Sequence, residues 1–246
     1  DGSIVVSATN GKTTTCAVLA GMLERDGEVP VHNRAGANMA GAIASTLLTG
    51  RGDVGLFEVD EFWLDRLVPQ LQPRVVVLAN LFRDQLDRYG ELDEIVSRWR
   101  EVIAAPEAGR FVLNSDDPSI AALGTQAADP LYFGLRDEQV GAADPQHATE
   151  QVVCPRCGSR LDYRAWYVGH LGDYRCSACD WTRPQAQVTA SDVELRGLGG
   201  SRFTLGLGEA THRVQIPLPG LYNVYNALAA AAGALAAGVD EAAILA

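Results

Sequence analysis

The chain has 246 residues, 47% of them apolar and 21% charged, enough to bury the core of one or two domains and too apolar for disorder. Thirty-one acidic residues against 20 basic ones leave a net charge of −11, which argues against a face that grips nucleic-acid phosphates. The apolar run near the C-terminal end, Ala227 to Val239, has 13 residues, short of the roughly 20 that cross a bilayer.

No basic start followed by an apolar core and a small-residue cleavage site opens the chain, which therefore reads as soluble and cytoplasmic. Position 1 is Asp rather than Met, and the last helix stops at Ala246 without a polar tail; both ends are expected to be internal to a longer protein. Ile4-Val5-Val6 predicts a short strand that leads through Ser7–Thr15 into the helical pattern Ala17–Leu23, closed by Arg25-Asp26-Gly27. Helical stretches at Ala40–Leu48 and Leu92–Ala105 then alternate with apolar runs at Val54–Val59, Val75–Ala79, Phe111–Leu113 and Leu131–Phe133. This β–α alternation predicts an α/β fold with a mostly parallel sheet covered on both faces. After Gly141 the texture changes. Residues 151–183 are polar and hold four of the five cysteines, and residues 188–216 alternate between Gly-rich turns as antiparallel strands do. An Ala-rich helix is expected from Tyr222 to the end. The expected organisation is thus a domain begun over 1–150, interrupted by a small insert at 151–183, and continued over 184–246.

Thr9-Asn10-Gly11-Lys12-Thr13-Thr14, between a strand and a helix, carries the strongest chemical signal of the N-terminal half. Backbone N–H groups of such a loop and the helix N-terminus behind it form an anion site. Lys12 would reach the terminal phosphates of a nucleotide, and the Thr13 hydroxyl would ligate Mg²⁺. Val6 stands where the usual pattern has a further Gly, and the plain alternative is a Thr-capped helix start. Glu58, Asp60 and Glu61 follow the Val54 strand at its carboxyl end, the edge where open α/β sheets bind ligands and where a hard cation wants carboxylates. Glu58, which directly ends the strand, is the better ligand candidate; an ordinary solvated acidic loop is the alternative. Asn80 with Arg83–Arg88, and Asn114 with Asp116-Asp117, follow two further strands at the same edge.

Cys154-Pro155-Arg156-Cys157 and Cys176-Ser177-Ala178-Cys179 have the C-x2-C…C-x2-C spacing of a four-thiolate zinc ribbon. Gly158 supplies the knuckle turn. Four thiolates leave no open coordination position, so the expected zinc is structural; two disulfides are the alternative. Cys16 reads as a small core residue. The four histidines, His32, His147, His170 and His212, are scattered and suggest no catalytic role.

Thr9–Thr14, Glu58, Asn80 with Asp84–Arg88, Asn114–Asp117 and the run Gly220–Ala230 fall in an order that resembles the central ATPase domain of the Mur ligases. Three departures separate the chain from the amino-acid-adding members: Gln85 and Tyr222 stand where those have His, and Arg100 where many have a carbamylated Lys. Asn33–Asn38, Arg83-Asp84-Gln85 and the cysteine ribbon resemble one branch, the ATP-binding subunits of lipid II isoglutaminyl synthases. Ala8 replaces a family Gly, which requires a negative φ there. The resemblance implies ATP, Mg²⁺ and structural Zn²⁺ as cofactors. It also implies amidation of the D-glutamate α-carboxylate of lipid II through an acyl phosphate, in peptidoglycan biosynthesis at the inner face of the cytoplasmic membrane. Ammonia would come from a partner, a class I glutaminase subunit of the GatD kind. Lys12 and Glu58 would act in catalysis. Asn80, Asn114, Asp116, Asn223 and Asn226 would join the phosphate loop around the nucleotide, and a C-terminal catalytic domain is expected beyond Ala246. The alternatives are a Mur-type or folylpolyglutamate-type amino-acid ligase, and a non-enzymatic ATP-binding module.

Overall fold

The computed structural model describes residues 2–33, 37–82, 91–105, 109–142 and 152–246. A nine-stranded sheet organises them. Its parallel part comprises β1 (Ser3–Ser7), β2 (Pro30–His32), β3 (Val54–Glu58), β4 (Val75–Leu78), β5 (Arg110–Asn114) and β6 (Leu131–Leu135). The four-residue β4 and all five residues of β1 are buried on both faces, which is why they read in sequence as continuous apolar runs rather than alternations. Two further strands, β7 (Leu161–Val168) and β8 (Leu171–Cys176), form a separate antiparallel hairpin. The chain then returns to the sheet as β9 (Val188–Leu195), parallel to β6, and continues antiparallel through β10 (Ser201–Leu207) and β11 (Ala210–Ile216).

One face of the sheet is covered by α1 (Lys12–Arg25), α6 (Leu221–Ala237) and α7 (Glu241–Leu245). The other is covered by α2 (Ala40–Thr49), α3 (Leu64–Leu71), α4 (Glu91–Ala104) and α5 (Pro118–Leu123). Small residues let α6 lie close to its neighbours: a Cβ on Gly233 would come 3.1 Å from Val77 Cγ2. Among the elements that went unread in sequence are the three-residue β2, α3, α5 and the two hairpin strands β7 and β8. The expected helix to the chain end is corrected. Gly238 adopts φ 84° and closes α6, and Asp240 caps α7 by accepting the Ala242 N–H, because a left-handed residue ends a helix and glycine takes it without strain. Among the described residues no helix is long and apolar enough to cross a membrane.

Strand order fixes where a ligand can sit. β1 lies between β3 and β4, all parallel, with Val6 level with Glu58 and Ser7 level with Leu78. The segments leaving β1, β3 and β4 therefore emerge side by side at the carboxyl edge, where the strand order reverses, and an open α/β sheet has its crevice there.

Candidate functional site

The chain leaves β1 at Ser7 and enters α1 at Lys12, turning through Gly11 at φ 85°. A Cβ on Gly11 would fall 2.1 Å from Asn226 Oδ1, so both its conformation and the close approach of α6 require glycine. Ala8 is buried and has no positive φ, so the side chain that replaces the family glycine is accommodated. The loop is tied to the end of β4. The Asn10 N–H donates to Asn80 Oδ1 at 2.9 Å and Asn80 Nδ2 donates back to the Asn10 carbonyl at 2.9 Å. Thr9 Oγ1 accepts from the Phe82 N–H at 3.0 Å and donates to the Phe82 carbonyl. Thr9 and Asn80 thus hold the shape of the loop. The N-terminus of α1 carries no side-chain cap, and its first-turn N–H groups with the positive end of the helix dipole suit an anion. Thr14 lies in that turn.

Lys12 Nζ donates to the carbonyls of Ala8 and Thr9 and pairs with Glu61 Oε2 at 2.9 Å. The main chain of Glu61 is held in turn, since its carbonyl accepts the indole N–H of Trp99, a fully buried residue of α4. Thr13 Oγ1 donates to Glu58 Oε2 at 2.9 Å. Glu58 is buried, and both its peptide groups are gripped by the Asn33 carboxamide. A hydroxyl and a carboxylate within one hydrogen bond of each other, beside a phosphate loop, are the hard oxygen donors that Mg²⁺ takes; the residues fit that ion. Asp60 serves the turn, accepting the Phe62 N–H.

The edge after β5 is buried. Asn114 donates to the Ala79 carbonyl at 2.8 Å and accepts the Asp116 N–H at 2.9 Å, so its carboxamide is spent on backbone. Asp116 is completely buried and accepts from Ser115 Oγ, the Leu135 N–H, Tyr225 Oη and Arg183 Nη1. Burial lifts its carboxyl above the ordinary value, and Arg183 opposes that rise. Asp117 caps α5 through the N–H groups of Ser119 and Ile120 and holds His170 Nε2 at 3.0 Å. The structure therefore brings Asn114 and Asp116 to the expected edge with their polar atoms turned inward. At the start of α6, Asn226 Nδ2 donates to Asn223 Oδ1 and its own Oδ1 accepts from Thr15. Tyr222 beside them is exposed, and Arg100 faces solvent on α4. Gln85 and the rest of 83–90 lie outside the described residues.

The four cysteine sulfurs of the hairpin segment lie within 4.8 Å of one another, with Cys154–Cys179 and Cys157–Cys176 each at 3.6 Å. A zinc tetrathiolate with Zn–S near 2.3 Å has S···S edges of about 3.8 Å, so the cluster fits Zn²⁺. All five cysteines are free thiols. Gly158, at φ 74°, makes the knuckle, its N–H donating to the Cys154 carbonyl. Hydrogen bonds from Ser159 pull the exposed Cys157 thiol down to about 6, whereas burial keeps Cys16 well above the usual thiol range.

Four residues do structural work that the sequence alone does not assign them: Glu61 reads only as one of the acidic residues after the Val54 strand, Asn33 only as part of the motif Asn33–Asn38, His170 only as a scattered histidine, and Arg183 does not stand out. Each acts on a partner 25 or more positions away.

Residues 6–158 match the family model described as the Mur ligase middle domain. The chain is 34% identical over 244 residues to the lipid II isoglutaminyl synthase (glutamine-hydrolyzing) subunit MurT of Streptococcus pneumoniae strain R6, covering 97% of this chain and 53% of that protein. It is 31% identical to the MurT subunit of Staphylococcus aureus strain COL, covering 94% of this chain and 51% of that one. Among solved structures, a pseudomurein peptide ligase type C from Methanothermus fervidus superposes with TM-score 0.83 at 30% identity, over 100% of this chain and 48% of that one. The chain spans about half the length of the relatives it matches.

Proposed function

The chain belongs to the Mur ligase family through its middle domain, and from that membership we propose that it is the ATP-binding part of a ligase that amidates the D-glutamate α-carboxylate of lipid II to D-isoglutamine. The observation that carries the reading is the four-thiolate cluster built into a Mur-type nucleotide fold, a combination that accompanies the 34% identity to a MurT subunit.

A carboxylate is a poor acylating agent. One of its oxygens attacks the γ-phosphorus of ATP, ADP leaves, and the product is an acyl phosphate. Ammonia then attacks the acyl carbon, phosphate departs with the bonding electron pair, the nitrogen loses a proton, and an amide remains. The loop Thr9–Thr14 would cradle the phosphates with its backbone N–H groups, and Lys12 would exchange Glu61 for them. Thr13 and Glu58 would hold Mg²⁺, which neutralises charge on the transferring phosphoryl group. Asn80 keeps the loop in its shape, and Asn223 and Asn226 would close the nucleotide pocket from α6. The thiolates of Cys154, Cys157, Cys176 and Cys179 would hold a structural Zn²⁺. A class I glutaminase subunit would supply the ammonia, and the complex would work on the sugar–peptide head of lipid II at the cytoplasmic face of the membrane.

The test incubates the full-length protein with ATP, Mg²⁺, ammonium chloride and lipid II and weighs the product. Replacement of one OH by NH₂ on the stem peptide, lost in Lys12→Ala, is the expected result. Unaltered lipid II, both with ammonia and with the glutaminase partner added, would overturn the reading. Growth of the stem by an amino acid would instead place the chain with the amino-acid ligases.

A further inference from the structure

We propose that Asn33 is a positioning residue for the metal-binding carboxylate of Glu58. The inference rests on the reading of Glu58 as a Mg²⁺ ligand given above. β2 ends at His32, level with Leu56 of β3. β3 continues two residues further to Glu58, which on its other side is level with Val6 of β1. In a parallel ladder the N–H and C=O of one residue point to the same neighbouring strand, and at Glu58 they point to where β2 has already stopped. The Asn33 side chain fills that gap. Its Oδ1 accepts the Glu58 N–H at 2.8 Å, and its Nδ2 donates to the Glu58 carbonyl at 2.8 Å. The second Nδ2 hydrogen goes to the Ala37 carbonyl at 2.7 Å. Asn33 is 2% exposed, so all three bonds are made away from water, where a lost partner costs most.

The chemistry selects asparagine. Only a short carboxamide offers one acceptor and two donors at this reach; Asp loses both donors, and Ser cannot span the peptide. Fixing the main chain of Glu58 fixes its Cα–Cβ direction, and that direction delivers the carboxylate to Thr13 Oγ1 at 2.9 Å. The residue touches neither metal nor nucleotide. It acts through Glu58, as groups that orient a metal ligand do, and their loss typically weakens metal affinity by about 10- to 100-fold.

The experiment titrates ATP into the full-length protein by calorimetry, in EDTA and across a Mg²⁺ series, for the wild type, Asn33→Ala, Asn33→Asp and Glu58→Gln. Each variant is also melted to confirm a cooperative fold. The expected result is that Asn33→Ala raises the Mg²⁺ concentration for half-maximal tightening of ATP by about 10-fold or more, as Glu58→Gln does, while ATP affinity in EDTA stays within about 2-fold. Asn33→Asp keeps the acceptor for the Glu58 N–H and the size of the side chain, so it carries the same comparison if the alanine variant does not fold. An unchanged Mg²⁺ requirement in a folded Asn33 variant, with Glu58→Gln shifted, would overturn the role of Asn33 and leave Glu58 as a ligand. An unchanged requirement in Glu58→Gln would remove the metal reading itself, and the proposal with it. Loss of cooperative unfolding in both Asn33 variants would also overturn it, by making the residue a keystone of the fold.

Discussion

Lys12 reaches Glu61 across 2.9 Å with both side chains mostly covered, and in the function proposed above a phosphate entering the loop would take the lysine from that carboxylate. Even an exposed pair is worth about 0.2–1 kcal/mol and this one is mostly covered, while Lys12 keeps its two carbonyl acceptors if the pair is lost. Glu61→Gln is therefore expected to bind metal-free ATP at least about 2-fold more tightly, read by calorimetry; weaker binding would assign Glu61 to the phosphate side of the site. A second prediction at this scale concerns the thiols. Cys157 is held down to about 6 by Ser159, so in protein stripped of metal its thiolate is present above that pH. Alkylation of Cys157 should then rise with a midpoint near pH 6, while Cys16, buried and shifted upward, stays unmodified. Peptide mass spectrometry across a pH series measures both.

Between elements, the hairpin β7–β8 is bolted to the edge after β5. The Gly172 N–H donates to the Asp116 carbonyl, Tyr174 Oη to the Ser115 carbonyl, and Arg183, beyond the hairpin, to Asp116 and the Leu135 carbonyl. His170 adds its bond to Asp117 and an edge contact with Phe82 at 4.9 Å between ring centroids. The guanidinium of Arg183 is the one opposite charge within reach of the buried Asp116 carboxylate among its described partners. Arg183→Met should cost about 3–5 kcal/mol of stability at neutral pH, because a buried charge is left uncompensated. The sign of the pH dependence follows from burial. A carboxyl raised in the folded state is best tolerated protonated, so the deficit grows as pH rises through the folded value. It shrinks as pH falls toward the unfolded carboxyl range near about 4. Urea unfolding at several pH values checks this, and Asp116→Asn in the same background should recover part of the loss. Asp117-Pro118-Ser119 did carry a local signal, an Asp cap followed by Pro at the first helical position, which is easily read as one more polar loop. The apolar runs of β1 and β4 were legible because parallel strands are buried on both faces. β2 was not, because three half-buried residues at a sheet edge leave no pattern.

At the scale of the whole molecule, strand order gathers residues that the sequence scatters. The phosphate loop, Glu58 and Asn80 were readable as three separate polar clusters at strand ends, and the order β4–β1–β3 makes them one crevice. The partners of their helpers were not readable, although Glu61 stood out in the acidic cluster and Asn33 in the motif Asn33–Asn38. Asn33 bonds across 25 positions, Glu61 across 49 and Arg183 across 67, and a side chain that completes another strand's ladder or neutralises a distant carboxylate has no signature in its own neighbourhood. The clusters of apolar contact on the two faces of the sheet are likewise separate.

The cysteine segment looked like an inserted passenger because its composition differs from its surroundings. Topology gives it a different standing. β6 and β9 are parallel neighbours, with Phe133 level with Val188 and Leu135 level with Ala190. The chain that leaves Leu135 must therefore come back to the level of Phe133 before Val188 and run alongside β6 in the same direction, and a parallel return needs a connection of about a dozen residues or more. The metal knuckles travel on that return path, so no tight turn could take their place. The segment is a connector first and a carrier of cysteines second, so the shortest form it could take is set by the parallel return between β6 and β9.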